Sequence, residues 1–222
     1  MKKINIDKSY LFLKKWWDSI DLTNYEKSNL NKDIISFNQQ LFRLKEKQFR
    51  IGIYGKAGVG KSYILNLLLN KKEFKTNIIN GSTENIEAKE WSLKHQNLKT
   101  IELIDSPGFD SCNIKDSENI YSQINSSELI IFTIAGDINR NEVSQINSFI
   151  KNGKKIILVL NKIDTWDTYD LKNIFKNIRL KLPQHINIPI VLNSKNNIKN
   201  QITDLVNRYG ESLLTLNSPQ LA

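Results

Sequence analysis

Two patterns of apolar residues divide the chain into a helical first part and a longer alternating part. From residue 50 onward, continuous apolar runs over residues 50–54, 129–135 and 155–160 are typical of strands that are covered on both faces. Further strands are predicted over 86–93, 98–105 and 188–192, and helices after residue 62 and around 117–126, 142–151, 167–181 and 197–208. Because parallel neighbours need crossover connections, this alternation predicts a three-layer α/β/α fold around a mostly parallel sheet.

The first part of the chain has a helical period instead. Between residues 30 and 48, apolar side chains recur at intervals of three and four, at Leu30, Ile34, Phe37, Leu41 and Leu44, and Ile35, Phe42 and Phe49 widen the stripe. Such a face is covered either by the rest of the chain or by a partner or second copy. Upstream, residues 10–17 combine aromatic side chains with lysines, a mixture also found in helices at membrane interfaces. Because the stretch is short and Asp18 and Asp21 follow it, core packing of Trp16 and Trp17 is favoured over an interfacial helix.

Composition limits the classes of protein that the chain can belong to. Its 222 residues, 40% hydrophobic and 25% charged, allow one sizeable core with an appendage. The single cysteine, Cys112, excludes an internal disulfide and a cysteine metal cluster. No apolar run approaches the roughly 18 residues that cross a bilayer, and the first residues lack an apolar signal core. We therefore expect a cytoplasmic protein.

The formal net charge of +9 raises the chance of an acidic partner. RNA or the ribosome is the expected class of partner, and an anionic membrane surface is less favoured. The basic residues are scattered rather than grouped in a block, so a lysine-rich solvated surface is the alternative.

Residues 55–62, with the sequence GKAGVGKS, follow the first predicted strand and precede a helix. They match GxxxxGK[ST], in which glycines let backbone amides point inward and the helix presents its positive end to an anion. We expect this phosphate loop to contact phosphates through all of its positions, namely Gly55, Lys56, Ala57, Gly58, Val59, Gly60, Lys61 and Ser62. Lys61 can reach the β and γ phosphates, and the Ser62 hydroxyl can bind Mg²⁺.

Two further polar motifs follow predicted strands. Asp105 begins a DxxG pattern ending at Gly108, where a carboxylate can hold the magnesium shell and a glycine amide can approach a γ phosphate. A turn built on proline and glycine is the alternative. Asn161 begins an NKxD pattern in which Lys162 can lie across a purine and Asp164 can accept the N1 and amino hydrogens of guanine. A helix N-cap is the alternative there.

The order and spacing of these motifs resemble the translation-factor-related small GTPases over roughly residues 49–209. The resemblance implies a P-loop NTPase G domain at 50–210, after an N-terminal helical segment at 1–49 and before a C-terminal tail at 211–222. It also implies that Thr83 is the switch I threonine, which binds Mg²⁺ and senses the γ phosphate, with an ordinary loop threonine as the alternative. Asn193, Ser194 and Lys195 resemble the SAK motif, departing from it at the first two positions, so base contact is expected from the Ser194 backbone and from Lys195.

One departure from the family pattern bears on catalysis. Where Ras-like members have a glutamine after DxxG, this chain has Phe109, as in Era-like, septin-like and immunity-related groups. An apolar side chain cannot orient water, so hydrolysis must depend on positioning, on magnesium and on a group supplied from elsewhere. Gly58 also differs from the asparagine of many Era-like members.

The resemblance implies a Mg²⁺-dependent GTPase that converts GTP to GDP and phosphate with slow intrinsic turnover. Lys61, Thr83 and Gly108 are the expected catalytic residues, and Ser62, Thr83 and Asp105 the expected metal ligands. The protein would act as a switch through two loops, around residues 71–83 and 109–116, that the γ phosphate orders, with its N-terminal helices binding an effector or pairing two subunits. A partner or a second copy would then activate hydrolysis. A GTP- or GDP-binding scaffold with negligible hydrolysis is the alternative, and Asp164 argues against an ATPase.

Overall fold

The computed structural model describes residues 6–75, 86–110, 114–194 and 197–216. Within these ranges one sheet contains six strands in the order β2-β3-β1-β4-β5-β6. Only the pairing of β2 with β3 is antiparallel. The strands are β1 (Gln48–Tyr54), β2 (Glu87–Glu90), β3 (Thr100–Asp105), β4 (Leu129–Ile134), β5 (Lys155–Leu160) and β6 (Ile190–Leu192). The predicted mostly parallel α/β fold is therefore confirmed.

Eight α-helices surround the sheet in the part of the chain that the structure describes. They are α1 (Ile6–Asp18), α2 (Asn24–Asn29), α3 (Asn31–Glu46), α4 (Lys61–Leu69), α5 (Ile114–Asn125), α6 (Arg140–Lys151), α7 (Thr168–Lys181) and α8 (Ile198–Leu216). Reciprocal capping boxes begin α2, at Thr23 and Glu26, and α6, at Asn139 and Glu142, satisfying amides that lack intrahelical partners. Helix α8 continues past residue 210, and the three-part division of the chain remains a prediction.

Apolar side chains fill both faces of the sheet. One cluster joins the inner faces of α1, α3, α4 and α8 to the sheet, and it includes Leu13, Leu41 and Leu44. The second lies on the other face, with α5, α6 and α7. Trp17 packs against the first cluster, and its ring centroid lies 4.6 Å from that of Phe37. The rest of the chain therefore covers part of the helical stripe, and the core packing expected of Trp17 is confirmed.

The apolar stripe of α3 is wider than the area that the core covers. Ile35 and Phe42 remain 50% and 61% exposed, whereas Leu41 and Leu44 are buried. On α1, Leu11 and Phe12 are also exposed. None of the described helices has the length and apolar character needed to cross a membrane.

A buried polar network fixes α3 to the amino-terminal ends of the central strands. The Arg43 Nε atom lies 3.3 Å from Glu128 Oε1, and both side chains are almost fully buried. Glu128 Oε2 accepts a hydrogen bond from the Arg50 backbone at 2.7 Å, and Arg43 donates to the Ser126 carbonyl at 3.2 Å. This network lies at the opposite end of the sheet from the loops that follow β1, β3 and β5.

Candidate functional site

The loop over residues 55–60 follows β1 and begins α4, and its glycines permit close contacts that other residues would block. A Cβ atom on Gly55 would lie 2.4 Å from the Thr133 carbonyl oxygen, and one on Gly60 would lie 2.2 Å from the Asn161 side-chain nitrogen. Gly60 also has a φ of +92°, in the left-handed region that favours glycine. The neighbouring strands therefore determine the path of this loop.

Lys61 is 7% exposed and folds back onto the loop. Its Nζ atom donates to the Gly55 carbonyl at 3.1 Å and to the Lys56 carbonyl at 2.8 Å. The side chain of Lys56 extends elsewhere, because its Nζ lies 3.4 Å from Glu142 Oε1 at the start of α6. Of the two loop lysines, Lys61 thus places its charge at the loop, while Lys56 takes part through its backbone carbonyl.

Ser62 and Asp105 meet beside the loop. The Ser62 hydroxyl donates to Asp105 Oδ2 at 2.5 Å, and Asp105 is 1% exposed. Burial raises the pKa of the Asp105 carboxyl, while the Ser62 hydrogen bond and the Lys61 charge partly offset this effect. These are the hard oxygen ligands that Mg²⁺ prefers, so the pair fits such an ion. The described residues contain no group of three or more His, Cys, Asp and Glu side chains that could hold a metal ion.

The segment after β3 lies against the loop. A Cβ atom on Gly108 would be only 2.3 Å from the Ala57 nitrogen, so the two backbones are in direct contact. The Phe109 amide donates to the Gly55 carbonyl at 3.4 Å. Its side chain, 8% exposed, stacks on Tyr54 with ring centroids 5.2 Å apart. The ring of Phe109 is therefore part of the core and does not point toward the phosphate loop.

Asp110 makes a contact that sequence reasoning missed. Its Oδ1 atom accepts a hydrogen bond from the Ala57 amide at 2.7 Å. The available signal was an acidic residue two positions after DxxG. Because Asp110 and Ala57 are 53 positions apart, no local pattern connects them.

Asn161 joins the loop to the segments that follow β5 and β6. It is 4% exposed, and its side-chain nitrogen donates to the Val59 carbonyl at 2.7 Å. Its side-chain oxygen accepts from Asn193 at 2.6 Å. The sequence placed Asn193 in the SAK-like motif but did not indicate this side-chain contact with Asn161.

The remaining predicted residues follow Asn161 and β6. Lys162 has a φ of +56° and precedes a short 3₁₀ turn, Ile163–Thr165, which leaves the Asp164 side chain exposed. The Ser194 amide donates to the Leu192 carbonyl at 2.9 Å, so a base contact through that amide would have to replace this hydrogen bond. Thr83 and Lys195 lie outside the described residues. The structure thus brings Lys61, Ser62, Asp105, Gly108 and Asn161 to one loop.

A doubly wound sheet with a GKS loop after β1, DxxG after β3 and NKxD after β5 defines a P-loop GTPase domain. The family model described as "50S ribosome-binding GTPase" matches residues 50–162, just over half of the chain. The chain belongs to this family, whose relatives are P-loop GTPases of the translation-factor-related class.

Individual relatives agree with this assignment. The chain is 29% identical over 137 residues to the tRNA modification GTPase MnmE of Mycoplasma genitalium, covering 60% of this chain and 30% of that protein. It thus spans about a third of the length of that relative.

Solved structures support the fold. Aquifex aeolicus Era bound to GDP and AlF₄⁻ aligns with a TM-score of 0.61 at 23% identity, covering 73% of this chain and 56% of that one. A structure of Era with MgGDPNP and nucleotides 1506–1542 of 16S ribosomal RNA aligns at 0.54 and 21% identity, covering 76% and 56%.

Proposed function

We propose that the protein binds GTP with Mg²⁺ and hydrolyses it slowly to GDP and phosphate, acting as a molecular switch. The observation that carries this proposal is the contact made with the phosphate loop from two sides. Gly108 lies against Ala57 on one side, and Asn161 donates to the Val59 carbonyl on the other. Residues of the DxxG motif, expected at the γ phosphate, and of the NKxD motif, expected at the base, therefore meet at one loop.

Each side chain of this site has a proposed role. Lys61 places its ammonium group beside the β and γ phosphates, and the Gly108 amide approaches the γ phosphate because no side chain obstructs it. Asp164 accepts hydrogen bonds from the guanine N1 and amino groups, and Lys162 covers the purine face. Thr83, Ser194 and Lys195 remain proposed contacts. Ser62, Asp105 and Thr83 would hold Mg²⁺, which when bound neutralises charge on the phosphates.

Slow turnover follows from the position of Phe109. Its ring is packed against Tyr54 in the core, so it cannot orient an attacking water. Catalysis then depends on charge stabilisation at the loop and on any group that a partner supplies. A partner's arginine can be worth roughly a thousandfold or more in this chemistry.

The proposed partners are an effector or second copy at the N-terminal helices, and RNA. Exposed Leu11, Phe12, Ile35 and Phe42 give these helices an apolar outer surface, which supports a protein partner. The net charge of +9 and the Era complex with 16S ribosomal RNA support RNA. A cytoplasmic location remains part of the proposal.

Phosphate release from GTP tests this function. Wild-type protein with Mg²⁺ should release phosphate above background at a low rate, and Lys61→Ala should abolish this release because it removes the cation at the loop. Lys94→Ala, which removes an exposed lysine after β2, is the matched control and should retain the wild-type rate.

A nucleotide-binding scaffold is the second candidate, and the buried Phe109 favours it. The same assay separates the two proposals when it is repeated across protein concentrations and with ribosomes added. Background release under all of these conditions, together with tight binding of guanine nucleotide, would contradict the GTPase proposal and support the scaffold.

A further inference from the structure

Asp110 places a negative charge on an amide of the phosphate loop. Its Oδ1 atom lies 2.7 Å from the Ala57 nitrogen, a hydrogen-bond length typical of charge-assisted bonds. Amides of such loops are anion-binding groups, and this one is bound by an anion of the protein itself.

The surrounding backbone holds Asp110 in this position. Gly108 contacts Ala57 directly, and the intervening Phe109 is fixed by its stacking on Tyr54 and by the hydrogen bond that its amide donates to the Gly55 carbonyl. Gly108 and Phe109 thus hold the backbone of Asp110 close to the loop, while its exposed side chain can rotate away from the Ala57 amide. The backbone that carries the carboxylate is therefore positioned by the loop and by the core together.

The location of this charge is selective for one part of a nucleotide. Under the proposed function, Gly108 faces the terminal phosphate of a triphosphate, and Ala57 is the loop residue that Gly108 touches. A carboxylate on Ala57 then lies nearer to a third phosphate than to the first two. The negative carboxylate and the negative third phosphate would repel each other. A diphosphate lacks this third phosphate and avoids the repulsion.

We infer that Asp110 is a specificity-determining residue that biases the site toward the diphosphate. Its carboxylate opposes the terminal phosphate, so that triphosphate binding requires the hydrogen bond between Asp110 and Ala57 to be released. This inference rests on the proposed function, because it assumes that the loop binds a nucleotide.

The test measures the affinities of wild-type protein and Asp110→Asn for GDP and for a non-hydrolysable GTP analogue, with Mg²⁺. Asparagine keeps the size of the side chain and an acceptor oxygen for Ala57 but removes the charge. We expect it to strengthen binding of the triphosphate analogue about fivefold and to change GDP affinity by less than about twofold. Because the contact is exposed, the difference should shrink between roughly 50 and 500 mM salt.

Glu118→Gln is the matched control, since Glu118 is an exposed acid on α5 that lines the cavity behind Phe109. It removes one negative charge nearby and should leave the ratio of the two affinities unchanged. Thermal unfolding of both variants verifies that they fold. Equal changes in both affinities of Asp110→Asn, or weaker triphosphate binding, would overturn the inference.

ADP and a non-hydrolysable ATP analogue separate this inference from the proposed guanine selectivity. If the protein does not prefer guanine but Asp110→Asn still strengthens triphosphate binding over diphosphate binding, the inference stands and the guanine proposal fails. Failure to bind any of the four nucleotides would overturn both.

Discussion

Asn161 and Asp164 lie three residues apart and have different tasks in the same motif. Asn161 is buried and uses both ends of its amide, donating to the Val59 carbonyl and accepting from Asn193. Asp164 is exposed at the end of a short turn. Asn161 therefore holds the loops in position, and Asp164 is the residue of the motif that remains accessible to a base.

Replacing Asp164 by Asn should shift the preference of the protein from GTP toward xanthosine triphosphate. A carboxylate can accept the N1 and amino hydrogens of guanine, whereas an amide can donate to the carbonyl that xanthine has in place of the amino group. A hydrogen bond to a charged group is worth about 1.5–3 kcal/mol, so GTP affinity should fall roughly tenfold to a hundredfold. Competition binding with the two nucleotides measures the change.

Asp167→Asn is the control for this substitution. Asp167 caps α7 by accepting from the Asp170 amide at 2.8 Å, and asparagine caps helices about equally well. Its selectivity should match the wild type. If Asp164→Asn also keeps the wild-type preference for GTP, Asp164 does not recognise the base.

At the scale of elements, α3 is attached to the sheet by buried charge as well as by apolar packing. Arg43 from this helix pairs with Glu128, the residue before β4, and Glu128 also accepts a hydrogen bond from the backbone of β1 at Arg50. Burial lowers the pKa of nearby Lys154, while the Glu128 charge opposes that shift. Glu128 is therefore the negative centre of a group of basic residues.

Arg43→Met should lower the free energy of unfolding by about 3 kcal/mol. Removing one partner of a buried ion pair leaves the other charge poorly compensated, and the loss is moderated here because the Arg50 amide still binds Glu128. Urea unfolding measures the change, and the double variant Arg43→Met/Glu128→Gln should lose less than the sum of the single variants.

The exposed pair between Lys14 and Asp18 on α1 provides the comparison. Lys14→Met should change stability by less than about 1 kcal/mol, because exposed ion pairs contribute little. If Arg43→Met is as mild as Lys14→Met, apolar packing alone holds α3 in place.

For the whole molecule, the sheet separates the site from the network that holds the N-terminal helices. The phosphate loop and its contacts lie at the carboxyl ends of the strands, whereas Arg43 and Glu128 lie at the other end. The N-terminal helices share a core with β1, whose end begins the loop. A partner bound to these helices would therefore be connected to the phosphate loop through the packed elements of the same core.

The net charge leads to a prediction for the intact protein. We expect it to sediment with ribosomes at about 50 mM salt and to be released at about 200 mM, because contacts with phosphates release counterions. Anionic vesicles at the same salt concentrations are the comparison, and little binding to them is expected. Failure to sediment with ribosomes at low salt would contradict the RNA proposal.

The sequence alone determined the order of strands and helices along the chain. It also determined which strand ends carry the three motifs. Glycine spacing, the GKS triplet and continuous apolar runs depend on local backbone chemistry and on coverage of both sheet faces, so each could be recognised from neighbouring residues. The phosphate loop, Asp105 and Asn161 are therefore found where the patterns indicated.

Only the tertiary structure decided which distant groups meet at that loop. Asp110 and Ala57 are 53 positions apart, and Asn161 and Asn193 are 32 apart, so no periodicity connects them. The same is true of Phe109, whose ring is buried because Tyr54 at the end of β1 offers a stacking partner. Such contacts depend on how the crossovers place the strands beside each other, which is a property of the packed sheet.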